Sequence, residues 1–235
     1  MSQPTSPRWR AAAGELTLIV VGVLVALWIE GCRQERADRA NETAYLERLA
    51  SDVAQDVERI DGLTAHSKAT DENARRVLEF LGSDRTTGDA DLVRSLNRAG
   101  FINFFRQNRS TYDDLLSTGN LRLLQNKTLV RQLGDYYRST DFLQHFDDQK
   151  KRAVWFDYRL RLTPYLPPAL FSDMTRESAD QAAERVDWIG LKADAELPPS
   201  IGGVLGTTSV ERRMLGQVRE DAELLLRAIG SELGP

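Results

Sequence analysis

Hydrophobic positions fall into two kinds along this chain. Ala11 to Ile29, AAAGELTLIVVGVLVALWI, is apolar on every side. From Leu46 onward apolar residues recur at helical spacing with polar residues between them. Leu46, Leu49, Val53, Val57 and Ile60 lie three and four apart, the stripe of an amphipathic helix. No Gly or Pro occurs from Cys32 to Asp61, and Gly62 is the expected stop. One rod from Pro7 to Asp61 would be roughly 80 Å long at 1.5 Å per residue.

Further helices are expected over 65–81, 89–97, 110–118 and 126–162, and near 176–186. Ser110 is a candidate N-cap, and Gly119 closes the helix it starts. Leu129, Leu133, Tyr136, Leu143 and Phe146 share the buried side of the long helix, which Thr163-Pro164 ends. LPPSIGGVLGTT reads as a loop, and Thr208-x-x-Glu211 as the capping box of a last helix with the stripe Val210, Met214, Val218, Ala222, Leu225 and Ile229. No strand-like alternation stands out. The expected fold is all-α: a tail (1–10), a transmembrane anchor helix (11–31) continuing into a stalk (32–62), and an extramembrane helical bundle (63–235).

The anchor expectation rests on length and flanks. A bilayer core of about 30 Å needs roughly 20 helical residues. Trp9 and Trp28 would stand about 28 Å apart on a helix, as membrane-interface belts. A cleaved signal is the competing reading, because Ile29-Glu30-Gly31-Cys32 resembles a lipidation site; Glu30 sits where such sites hold a small residue. Glu15, Ile19, Gly22 and Ala26 share one helix face, with Gly22 and Ala26 as a small-xxx-small pair. A carboxylate at membrane depth is costly unless it faces protein or water. That face is therefore the expected contact with an integral-membrane partner, or with a second copy of the chain. Arg8 and Arg10 precede the span without acids, whereas Arg33, Arg36 and Arg39 are mixed with Glu35, Asp38 and Glu42. The amino terminus tips the balance toward a cytoplasmic tail and a periplasmic domain of a bacterial inner-membrane protein.

Composition narrows the chemistry. With 31 Lys+Arg against 35 Asp+Glu the net charge is −4, which argues against nucleic acid. The single cysteine, Cys32, leaves no internal disulfide and no cysteine-cluster metal site. Asp141, His145 and Asp148 make the best metal-like spacing, but only two histidines exist, His66 stands alone, and Lys150, Lys151 and Arg152 are at hand to neutralise the acids. IGGVLG lacks the Lys-Ser/Thr ending of a phosphate loop. Phe101, Ile102, Phe104 and Phe105, the pair Tyr136-Tyr137 and the pair Trp155-Phe156 read as core. No catalytic residue, cofactor or metal is expected.

Gly14-Glu15, the Val/Leu/Ile run with Gly22 and Ala26-Leu27-Trp28, and the charged helix reaching Tyr45-Leu46 resemble a bacterial family catalogued only as a membrane-associated domain of unknown function. TYDDLLSTGNLRLL, from Thr111 to Leu124, followed by Tyr136-Tyr137, resembles its second signature. The likeness covers residues 11–60 and 110–137. Where that family carries an Asn-rich stretch past the membrane, this chain has Glu30-Gly31-Cys32-Arg33. The resemblance implies one span and a helical domain, and brings no activity. The expected function is a non-catalytic accessory subunit of a larger respiratory, photosynthetic or transport complex. The alternative is a tethered sensor with a ligand pocket at Phe101, Phe104 and Tyr136.

Overall fold

The structure, a computed structural model, describes residues 8–168 and 176–234, with side chains from Leu16 onward except Thr17, Ile19 and residues 176–178. Among the described residues eight α-helices follow one another: α1 (Arg8–Leu81), α2 (Ala90–Ala99), α3 (Ser110–Ser117), α4 (Lys127–Phe146), α5 (Arg152–Leu162), α6 (Arg176–Ala183), α7 (Trp188–Ala193) and α8 (Leu197–Leu233). A 3₁₀ turn (Asn120–Leu123) precedes α4, and a π-helical turn (Asp147–Lys151) joins α4 to α5. No strand occurs among the described residues, so the all-α expectation holds.

α1 is one helix of 74 residues, roughly 110 Å long. It does not stop at Gly62. The reason is a heptad stripe that runs straight through: Leu46, Leu49, Val53, Asp56, Ile60, Leu63, Ser67, Thr70, Ala74 and Val77 are all buried, alternately three and four apart. A glycine inside a helix costs about 1 kcal/mol against alanine, far less than breaking that stripe would. Asp56, not Val57, holds the fourth core position; Val57 is only partly buried.

α8 follows the same rule. Leu197, Ile201, Val204, Thr208, Glu211, Leu215, Val218, Ala222, Leu225 and Ile229 are buried at alternating four and three. The expected loop over LPPSIGGVLGTT is therefore helix, with proline in the first turn where its missing N–H is harmless. A Cβ added at Gly202 or Gly206 would meet nothing within 4 Å, so both glycines lie outside the stripe. Thr208 and Glu211 are interior positions rather than a capping box. α8 runs antiparallel to α1, since Arg219 pairs with Asp61 and Arg212 with Asp71. The 3–4 alternation on both helices is the pattern of left-handed knobs-into-holes packing.

Two apolar cores form along this pair. The first takes Leu46 to Ile60 of α1, Leu129, Leu133, Tyr136 and Leu143 of α4, and Leu215 to Ile229 of α8, with Phe105 and Leu115. The second takes Ala74, Val77 and Phe80 of α1, the apolar face of α2, Tyr158 and Leu162 of α5, Trp188 of α7, and Leu197, Ile201 and Val204 of α8. Gly88 is glycine because a Cβ there would strike the Trp188 ring. Gly119 ends α3 at φ 71°, as its place in the sequence implies. Asn126 caps α4 by accepting from Thr128 and Leu129. α3 has Arg109 at its N-cap, one residue earlier than expected. Phe156 and Phe101 are exposed rather than core, at 61% and 55%.

Among the described residues the bundle first meets α1 at Glu42, which accepts from Gln125 N–H at 2.8 Å. The stalk expected over 32–62 is thus bare only to about Asn41; from Leu46 it is the central helix of the bundle.

Candidate functional site

The first candidate is the bare part of α1. Its large apolar side chains between Leu16 and Ile29 are between 48% (Val20) and 77% (Leu18) exposed. Around Gly22 a Cβ would meet nothing within 4 Å, and Ala26 is exposed on the same side. Trp28 is exposed at the end of the run. The side chains of Trp9, Glu15 and Ile19 lie outside the described residues. Among the described residues no helix is long and apolar enough to cross a membrane. The expected span over 11–31 is therefore helical, and its crossing of a membrane is not supported. Cys32 is a free, half-buried thiol past its end.

The second candidate is a polar network that starts inside the first core, at Asp56, and reaches the layer between the two cores, with residues 101–109 crossing it. A buried backbone without helix or sheet partners must find hydrogen bonds elsewhere. Here side chains supply them. Asp56, fully buried, accepts from Asn108 N–H at 2.9 and 3.1 Å, from the Tyr136 hydroxyl at 2.8 Å and from Arg59 at 2.6 Å. Tyr137 Oη donates to the Asn108 carbonyl at 3.2 Å, Arg59 to that of Arg106 at 3.4 Å, and His66 Nε2 lies 3.0 Å from that of Phe101. Burial pushes the Asp56 carboxyl above its ordinary range, against the pull of Asn108, Tyr136 and Arg59. Burial likewise raises both tyrosine hydroxyls, with Asp56 adding to the push on Tyr136 and Asp52 on Tyr137.

The π-helical turn supplies the rest. Asp147 and Lys151, four apart, both lie on its buried side, and such turns recur at functional sites. Lys151 Nζ donates to Glu211 of α8 and to the Asn103 carbonyl, and stands 3.7 Å from Asp147 Oδ1. Asp147 Oδ2 accepts from Phe105 N–H at 2.8 Å, while Oδ1 has no hydrogen-bond partner. Asp147, Lys151 and Glu211 are all at most 4% exposed. Burial pushes the Asp147 carboxyl above its ordinary range and Glu211 adds to this, while Lys151, Phe105 N–H and Arg106 oppose it. The Phe104 ring lies 5.6 Å from Lys151 Nζ and within 5.4 Å of the Arg106 and Arg152 guanidinium carbons.

Beside the segment an open groove of about 770 Å³ runs between α1 and residues 103–108, lined by Arg59, Gly62, Phe104 and Arg106 among others. Tyr136 is sealed in the core and does not line it, so the pocket expected from Phe101, Phe104 and Tyr136 together does not form. The Asp141, His145, Asp148 spacing gathers arginines instead. Asp141 takes Arg109 at 2.6 Å and Gln107 at 2.8 Å, and Asp148 takes Arg106 at 3.1 Å. Among the described residues no three His, Cys, Asp or Glu side chains cluster as metal ligands.

Sequence reasoning missed Asp56, Asp147, Lys151 and Glu211. Two signals could have found Asp56 and Glu211, an acid at a heptad core position in α1 and another in α8; Asp147 and Lys151 carry no such signal. The comparisons with known proteins add no relative, since no family model matches the chain and neither a curated protein nor a solved structure is similar to it.

Proposed function

We propose that this chain is a membrane-anchored, non-catalytic accessory subunit, held by α1 in a bacterial inner membrane and docked there against an integral-membrane partner. The observation that carries the reading is the bare helix: from Leu16 to Ile29 its described large apolar side chains are exposed, and none of the described elements covers them. A helix that is hydrophobic all round belongs in a membrane or inside a larger assembly. The acid at Glu15 with Gly22 and Ala26 on one face favours a packed helix over a purely lipid-facing one. Glu30 to Asn41 then spaces the bundle about 20 Å from the bilayer. The tail is cytoplasmic and the bundle periplasmic.

Fractionation followed by extraction in mild detergent tests this. The protein should pellet with membranes, resist alkaline wash, and leave detergent extraction with stoichiometric companions that Glu15→Leu removes. Recovery in the soluble fraction overturns the anchor. A lone monomer in detergent overturns the subunit reading, and companions that survive Glu15→Leu overturn the contact face. A second reading, a tethered ligand-binding domain, has the groove beside Arg59 and Phe104 in its favour. Calorimetric binding of a small solute that Gly62→Leu abolishes would favour it.

A further inference from the structure

We propose that Asp147 is a proton-operated latch on segment 101–109: with a proton bound it keeps the segment closed over the polar layer between the cores, and on ionising it lets the segment lift and widen the groove. The geometry is that of a charge conflict under a cover. Three groups, Asp147, Lys151 and Glu211, are buried together, and with both acids ionised they carry one net negative charge. One carboxylate oxygen, Asp147 Oδ1, has no donor. A proton on Oδ1 removes the net charge and leaves Oδ2 free to accept from Phe105 N–H. When that proton passes to bulk water, two carboxylates share one ammonium, and the open oxygen needs hydration that a buried site denies it. The segment is tied to this cluster at two points, since the Asn103 carbonyl accepts from Lys151 and Phe105 N–H donates to Asp147 Oδ2.

The groups facing Asp147 are Lys151 from its own turn, Glu211 from α8 and Arg106 from the segment. α1 brings Arg59 and His66 to the segment's own carbonyls, at Arg106 and Phe101. A carboxyl whose folded value is raised contributes stability that is full below its ordinary range and is lost as pH rises through the folded value. The latch therefore loosens as pH rises.

Amide hydrogen exchange on the full chain, from about pH 4 to about pH 8 and corrected for intrinsic rates, reads this directly. Protection of the Phe105 amide should fall through one transition as pH rises, by at most about tenfold per pH unit, the slope of a one-proton linkage. Asp147→Asn keeps an acceptor for Phe105 and cannot ionise, so its profile should be flat. Glu211→Gln removes the second negative charge and should move the transition to lower pH. His66→Gln should leave it in place. A flat wild-type profile, a transition that persists in Asp147→Asn, or one that vanishes in His66→Gln overturns the proposal. Should Asp147→Asn fail to fold, an unmoved transition in Glu211→Gln overturns it instead.

Discussion

The two halves of α1 share the same kinds of apolar side chain and do opposite things with them. From Leu46 to Val77 the apolar side chains fall three and four apart and vanish into the bundle; from Leu16 to Ile29 they point in every direction and stay exposed. Helical propensity does not separate them, for the backbone runs unbroken through both. What separates them is angular spread. A narrow stripe finds its partner in α4 and α8 of the same chain, whereas a helix apolar all round asks for a surround that one chain of this size does not provide. The fold thus divides a single helix into a part that stabilises the domain and a part whose described apolar side chains stay exposed.

That division is sharpest at Leu49, fully buried in the first core. Leu49→Ala should lower unfolding free energy by about 2–5 kcal/mol, the range for truncating a core leucine, measured by denaturant titration of the detergent-solubilised chain. A loss below about 1 kcal/mol would mean that the buried half of α1 is not holding the bundle.

Next in size is the polar core position of the same stripe. Tyr136→Phe keeps the ring and removes the donor that Asp56 Oδ2 receives at 2.8 Å. Asp56 retains Arg59 and Asn108, so the expected loss is about 1–3 kcal/mol. Amide exchange at Asn108 should speed up in the same variant, because Asp56 is what holds that amide. Unchanged stability and exchange would reduce the Asp56 network to ornament on an apolar core.

Gly62 probes the seam where a break was expected and none exists. A Cβ there meets nothing within 4 Å, so Gly62→Ala should raise stability by up to about 1 kcal/mol. Destabilisation would show that the glycine is required, for instance by something that seats in the groove it lines.

The elements that were legible in the sequence are those whose signal is local. The stripe of α1, the Asn126 start of α4, the Gly119 stop and the paired tyrosines could be read because spacing and caps act within a few residues. The breaks assigned to Gly62 and to IGGVLG failed for one physical reason: a glycine's local cost is small against a buried heptad stripe whose partner helix lies far away in sequence. Seeing α8 whole required admitting Thr208 and Glu211 as core positions, and polar residues hold such places only through partners such as Asp71 and Lys151. Those partners are 137 and 60 residues away. The polar layer was illegible on the same ground, since Asp56 meets Tyr136 across 80 residues. Nothing in Asp147-Asp148-Gln149-Lys150-Lys151 announces a π-helical turn; only the need to point both Asp147 and Lys151 at one interior does.

The smallest expected change is the most decisive for the comparison. Leu24 is 59% exposed in the bare half and chemically identical to Leu49. Leu24→Ala should alter the bundle's unfolding free energy by less than about 0.5 kcal/mol, the ordinary range for a surface substitution. The same change should weaken attachment to lipid, because a leucine side chain moved out of water is worth about 1.5–3 kcal/mol and alanine much less. Attachment is read from the fraction of protein floating with vesicles of neutral phospholipid, so that charge does not contribute. One leucine in a run this long will not detach the chain. The effect becomes visible when Leu24→Ala is combined with Leu16→Ala, Leu18→Ala and Leu27→Ala, all more than half exposed. If the four together release the chain from vesicles and leave the bundle's unfolding curve untouched, the two halves of α1 are energetically separate. If they also lower the bundle's stability, the bare helix is coupled to the fold, and the division drawn from its exposure is wrong.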